Sequence, residues 1–252
     1  GAWRLLCTQT STASTSSFSN SPDVDFMATP PSDGAFAEYL SHPADFAFKL
    51  PESISYDEGA LVEPLSVGVH AAGRADIQSG DRVAILGAGP IGLVTLQATL
   101  VRGASEVIIT DLVDFRLEKA MEFGASEAIN VKKDSIGSYI SSFDEVIQAA
   151  GAAKTYEQAL ELVDRGGKVV QVGHSSSEKV SIKSNLLITR EIDMLGSFRY
   201  VNTYSDSISM LANGQVSLEP MISKYFSLEE VETALLYPKE NLDSCIKAMV
   251  KF

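Results

Sequence analysis

The sequence predicts an α/β protein centred on a doubly wound parallel sheet. Three observations carry that prediction. Strand-like apolar runs alternate with helix-like stretches from residue 82 to 197; the first run, Val83-Ala84-Ile85-Leu86, passes through Gly87-Ala88-Gly89-Pro90-Ile91-Gly92 into a helical stretch; and the second run ends on an acid, Asp111. Alternation of this kind is what right-handed βαβ crossovers require, and such sheets take ligands outside the carboxyl ends of their strands.

The elements follow in order. Trp3 to Asn20 is dominated by Ser and Thr and holds no acid, which reads as a divergent leader over residues 1–25 in place of a targeting segment. Ala35 to Leu40 and Phe46 to Leu50 alternate apolar and polar as short antiparallel strands do. Ser55-Tyr56-Asp57-Glu58 has the spacing of a capping box, and Ala60 to Ala75 is mostly small and apolar apart from Glu63, His70 and Arg74. The alternating middle then predicts strands at 82–86, 106–110, 127–131, 144–149, 168–172 and 191–197. Helices are expected over 93–102, 115–123, 156–163 and 185–189. Beyond Asn213-Gly214 the rhythm breaks: Met221 to Phe226 reads as a strand, Ser227-Leu228-Glu229-Glu230 opens a helix to Leu236, and Cys245 to Val250 alternates again. A second, smaller β-rich domain built from both chain ends would account for the change.

Composition narrows the partners. A formal net charge of −13 repels nucleic acid and anionic membrane surfaces, so neither is expected to bind. The two cysteines, Cys7 and Cys245, make neither a disulfide framework nor a zinc motif and fit a reducing, cytoplasmic setting. No apolar run is long enough to cross a bilayer.

The glycine stretch has a direct physical reading. Gly87 suits a tight turn, Gly89 lets backbone approach a pyrophosphate, and Gly92 lets the helix pack close to the strand. The helix start presents free N–H groups and the positive end of its dipole to phosphates. Asp111 stands about twenty residues on, where a carboxylate accepts from a free ribose 2′-OH and repels a 2′-phosphate. NAD is therefore the expected cofactor, held by a Rossmann domain.

Four phrases together carry a family resemblance: Phe26-Met27-Ala28-Thr29-Pro30-Pro31, Gly59 to His70 around Glu63, Gly87 to Gly92, and Gly196-Ser197-Phe198-Arg199-Tyr200. In order and spacing the chain resembles the zinc-dependent medium-chain dehydrogenases, most of all their polyol branch of sorbitol and xylitol dehydrogenases. The resemblance implies NAD-dependent oxidation of a secondary alcohol of a small-molecule polyol to the ketose, and a homo-oligomer. It implies that Glu63 faces the catalytic zinc as a carboxylate and that Arg199 and Tyr200 hold the polyol hydroxyls. Pro90 and Ile91 would lie at the pyrophosphate and Arg116 beside the adenosine ribose. Val172, Gly173 and His174, with Ser197, Phe198 and Arg199, would form the nicotinamide end.

The family's Cys and His-Glu zinc ligands have no counterpart in the sequence. The expectation is therefore an N-terminally truncated member: an incomplete GroES-like catalytic domain over 26–60 and 214–252, and an NAD-binding domain over 61–213. Exposed apolar faces at 35–50 and 220–250 are expected to promote association. The alternative reading is an inactive NAD-binding protein; a zinc-free quinone-reductase-like member is weaker, because Glu63, Arg199 and Tyr200 would then have no purpose.

Overall fold

The structure, a computed structural model, describes residues 5–7, 27–29, 32–175 and 177–252. The Ser/Thr-rich leader lies outside the described residues except for the backbone of 5–7, and so do Phe26, Pro30 and Pro31. The chain divides into two compact units: one runs up to Ser66 and resumes over Val201–Phe252, and the other is Val67–Tyr200. The dinucleotide-binding domain is expected from sequence over 61–213, and the continuous compact unit is Val67–Tyr200.

In the first unit, β1 (Leu5–Cys7) pairs antiparallel with β2 (Ala47–Lys49). Helix α1 (Tyr56–Ala60) begins with the expected capping box: the Ser55 hydroxyl accepts from the Glu58 N–H, and the Glu58 carboxylate accepts from the Ser55 N–H. Two of the helix's orphan donors are satisfied in this way. Helix α2 (Val62–Ala75) follows after one residue and carries Glu63 in its first turn.

The second unit holds β3 (Arg82–Leu86), α3 (Pro90–Val101), β4 (Glu106–Asp111), α4 (Asp114–Glu122), β5 (Glu127–Asn130), β6 (Phe143–Gln148), α5 (Ala153–Leu162), β7 (Val163–Gln171), α6 (Ser184–Arg190) and β8 (Asp193–Gly196). Its strands form one parallel sheet in the order β5-β4-β3-β6-β7-β8. The chain winds outward from β3 to β5, then returns to lay β6 on the other side of β3. That reversal opens a crevice at the carboxyl ends of β3 and β6, where doubly wound sheets bind their ligands.

Burial follows the period of two that strands impose. Ala84, Leu86, Ile108, Val146 and Val169 join Leu160 and Leu162 of α5 in one core cluster. The alternate residues Ile85, Ile109 and Ile147 are fully buried on the opposite face. Both faces are covered, which is why these strands read as continuous apolar runs.

The first unit then resumes with α7 (Tyr204–Ala212), β9 (Ile222–Ser227), α8 (Val231–Glu240) and β10 (Lys247–Lys251). Ser66, fully buried, donates to the Val62 carbonyl at 2.8 Å and to the Ser207 hydroxyl at 3.0 Å, while Thr203 Oγ1 donates to the Ser66 carbonyl at 3.0 Å. Phe48 stacks on Tyr204 with ring centroids 5.4 Å apart.

Two sequence expectations are corrected here. Residues 35–40 form no strand, and Phe36, Tyr39 and Leu40 are 53, 91 and 44% exposed; alternation makes a strand only where a partner supplies the ladder, and among the described residues none pairs there. The C-terminal strands do not follow the antiparallel character of the opening segment. β9 and β10 pair in parallel with α8 as their crossover.

Candidate functional site: the dinucleotide cradle

The site is built at the switch point of the parallel sheet. β3 ends at Leu86, and Gly87 turns the chain with φ at +107°, a conformation that side chains with a Cβ rarely adopt. Its N–H donates to the Thr110 carbonyl on β4 at 2.8 Å. Gly89 caps α3, with Pro90 at its first position, so the missing proline N–H falls where a helix has no partner for it. At Gly92 the constraint is packing: an added Cβ would stand 1.8 Å from the Gly87 carbonyl oxygen. Around Gly89, by contrast, an added Cβ would meet nothing within 4 Å, so the backbone there faces open space beside the helix start. Ile91, half-buried, follows in the first turn of α3.

Asp111 closes the other side of this turn. Its Oδ2 accepts from the Ala88 N–H at 2.7 Å, and its Oδ1 accepts from the N–H groups of Leu112 and Val113 at 2.7 and 3.1 Å. The carboxylate is therefore aimed by three backbone donors and tied to the glycine turn itself. Oδ2, with one bond of its two, retains acceptor capacity. On α4, Arg116 has its Nε buried with no hydrogen-bond partner.

The opposite half of the crevice is lined by the loops after β7 and β8. Val172 and Gly173 both donate their N–H groups to the Gln148 carbonyl at 2.9 Å, and Tyr156 donates its hydroxyl to the Gly173 carbonyl at 2.7 Å. His174 is exposed and meets Phe198 edge-on at 6.0 Å between ring centroids. Ser197 is buried, donates its N–H to the Gln171 carbonyl at 2.9 Å, and leaves its hydroxyl without a partner. The Arg199 guanidinium lies 4.9 Å from the Phe198 ring centroid, and Arg199 itself takes φ +54°. Tyr200 follows, half-buried. The fold thus brings Gly87 to Gly92, Asp111, Arg116, Val172 to His174 and Ser197 to Tyr200 into one compact unit. Glu63 stands in the other, exposed on the first turn of α2.

Gln148 braces the loop after β7, and sequence reading passes over it. It is fully buried at the end of β6, donates from Nε2 to Thr155 Oγ1 at 2.7 Å, and accepts at Oε1 from the Gly173 N–H at 3.2 Å. A lone amide closing the apolar run Val146-Ile147 was the available signal. His70 of α2 has its pKa held below the usual value, by burial first and then by the nearby Arg74 charge.

Zinc does not fit what is described. Among the described residues no group of three or more His, Cys, Asp or Glu side chains could hold a metal ion, whereas catalytic zinc takes three protein ligands. Cys245 is buried and makes no disulfide among the described residues.

A parallel sheet of this order, with a glycine turn tied to an acid at the end of the second strand, defines a dinucleotide-binding Rossmann domain. Comparison with known proteins makes the class narrower. Residues 90–213 match the zinc-binding dehydrogenase family. Sorbitol dehydrogenase of Bacillus subtilis (strain 168) is 40% identical over 235 residues, which cover 91% of this chain and 67% of that protein. Among solved structures, an oxidoreductase/dehydrogenase of unknown specificity from Escherichia coli superposes with a TM-score of 0.89 at 37% identity, covering 93% of this chain and 70% of that one. An E. coli CFT073 alcohol dehydrogenase complexed with NADH gives 0.86 at 28% identity, over 91% of this chain and 69% of its own. A zinc-binding dehydrogenase from Sinorhizobium meliloti 1021 bound to NADP gives 0.83 at 29%, over 92 and 70%. The chain belongs to the zinc-dependent medium-chain dehydrogenase family, in its polyol branch. Among the described residues no helix is long and apolar enough to cross a membrane.

Proposed function

We propose that this chain binds NAD and serves the oxidation of a secondary alcohol of a sugar alcohol, of the sorbitol or xylitol class, to the ketose. The observation that carries the choice of NAD is the anchoring of Asp111: a carboxylate fixed by the Ala88 N–H of the glycine turn accepts from a 2′-OH and rejects a 2′-phosphate. When bound, NAD supplies the hydride acceptor. The chain's own residues do the placing. The α3 N-terminus with Gly89 and Pro90 receives the pyrophosphate, Arg116 meets the adenosine ribose, and Val172 to His174 with Ser197 and Phe198 seat the nicotinamide. Arg199 and Tyr200 offer donors to polyol hydroxyls. Glu63 stays a proposed metal-facing carboxylate without a described ligand set.

The test is a calorimetric titration with NADH and NADPH. NADH is expected to bind at least about tenfold tighter, a difference of about 1.4 kcal/mol, with the preference shrinking in Asp111→Asn; tighter NADPH binding would overturn the assignment. A second reading, a dinucleotide-binding protein without turnover, is favoured by the lack of a metal-ligand cluster among the described residues. NAD reduction in the presence of sorbitol or xylitol separates the two. We further propose that the protein works as a homo-oligomer.

A further inference from the structure

The loop after β5 carries a charge pattern that cofactor binding leaves unused. In Lys132-Lys133-Asp134-Ser135-Ile136 a hydroxyl residue follows lysines at both the third and the second position before it, and an apolar residue comes next. No other Ser, Thr or Tyr of the sequence has Lys or Arg at both of those positions. Lys132 to Ser135 are exposed, in a stretch that is neither helix nor strand. Backbone of that kind can be drawn into the cleft of another enzyme without dismantling a sheet or a helix. Protein kinases discriminate among acceptors by charge pattern, and two ammonium groups ahead of a serine suit an acidic substrate cleft.

Room and wiring add to the pattern. Ser135 Oγ accepts from the Gly137 N–H at 3.1 Å, a bond local to the loop. It borders a cavity of about 300 Å³ that Ile140 and Lys154 also line, so a phosphoryl group has space beside it. The same loop is tied to the segment that follows Asp111. The Val131 N–H donates to the Asp111 carbonyl at 3.1 Å, Asn130 Nδ2 donates to Asp114 Oδ1 at 2.7 Å, and Lys133 Nζ stands 2.6 Å from Asp114 Oδ2. The last of these ties is exposed on both sides and therefore weak.

We propose that Ser135 is the acceptor site of a protein kinase that selects basic residues upstream, and that its phosphate lowers the affinity for the dinucleotide. The effect on affinity rests on the cofactor reading given above; the acceptor site does not. In the transfer, Ser135 Oγ bonds to the γ-phosphorus of a nucleoside triphosphate held by the kinase. The bond from that phosphorus to the β-phosphate oxygen breaks, the nucleoside diphosphate leaves, and the hydroxyl proton passes to the kinase's base. The product carries nearly two negative charges at neutral pH. Three effects then act in one direction: the phosphate competes with Asp114 for Lys133, it repels the Asp114 carboxylate, and it adds negative charge to the loop joined to the Asp111 turn, where an anionic cofactor must approach.

The experiment treats the chain with magnesium ATP and the catalytic subunit of cyclic-AMP-dependent kinase, which selects such sequences, and maps phosphate by mass spectrometry. Phosphate on Ser135 is expected, absent in Ser135→Ala and entering about tenfold more slowly in Lys132→Ala. No incorporation, or incorporation unchanged in Ser135→Ala, would overturn the acceptor site. Calorimetry with NADH then compares the phosphorylated and untreated chains. Binding is expected to weaken about fivefold at low salt, with a smaller difference at high salt. Ser135→Ala, treated or not, is expected to bind as the untreated chain does. Equal affinity with and without the phosphate would overturn the regulatory half. If the untreated chain bound no NADH, the cofactor reading would fail and the regulatory half with it, while the phosphate map would still decide the acceptor site.

Discussion

At Gly92 a single methyl group decides whether the turn can exist. An added Cβ would stand 1.8 Å from the Gly87 carbonyl oxygen, far inside any contact distance, and the opposing atom is backbone that cannot rotate away. Gly92→Ala is therefore expected to destabilise the protein by about 3 kcal/mol or more and to abolish NADH binding. Thermal melting and calorimetry check it; unchanged binding would refute it. At this scale the turn itself was legible: Gly87, Gly89, Gly92 and Asp111 stood in the sequence at the spacing the turn uses. What was not legible was the bond from the Ala88 N–H to Asp111, because a backbone donor leaves no mark in residue type. Gln148 left only the trace of a lone amide after an apolar run: whether such an amide is paired depends on neighbours elsewhere in the chain.

Elements add a second kind of constraint, visible where β6 begins. Glu145 is 7% exposed, and its Oε2 is buried with no partner. Burial first, then the Asp81 and Asp144 carboxylates and a hydrogen bond with Asp81, against the opposing Lys168 charge, push its pKa up to about 8. Near neutral pH the carboxyl is thus largely protonated. Its ordinary value in an unfolded chain is 4.5. Because the folded pKa is the higher one, the contribution of Glu145 to stability is complete below about pH 4.5 and is lost as pH rises through about 8. Glu145→Gln, neutral at every pH, is expected to flatten that decline and to stabilise the protein at pH 9 by an amount on the order of a few kcal/mol. Urea midpoints across pH 5 to 9 test it, and an unchanged slope would refute it. The strands of the parallel sheet were legible because both faces are covered and the apolar runs are continuous. β7 begins five residues before the expected 168, the strand passing through Gly166 and Gly167 with a shifted register against β6. Residues 35–40 misled in the other direction, because a period of two records what a strand could bury and not whether a partner is there.

Over the whole molecule, the balance of charge and apolar surface sets behaviour in solution. Within the first unit, Leu235, Leu236, Leu242 and Phe252 are 65, 48, 49 and 73% exposed. Leaving this much apolar side chain in water favours association, and the net charge of −13 opposes it. Multi-angle light scattering is expected to show self-association that grows as salt screens the charge; a monomer at every ionic strength would refute it. The legibility of the two units differed for a reason of this scale. The Val67–Tyr200 unit is one continuous stretch whose alternation can be read along the chain, whereas the other unit is assembled from two segments that no local pattern joins.

That interruption also sets an order of events during folding. The bond between Ser66 and Ser207 spans 141 positions, and closing a loop of that length early would cost entropy before any contact repaid it. The inserted stretch removes the cost if it folds first: Arg74 near its start donates from Nε to the Gly196 carbonyl near its end at 3.1 Å, so completing the insert draws its two ends together. On the ribosome the parallel sheet can form while the last segment is still being made, and α7, β9 and β10 then close on a chain already brought into place.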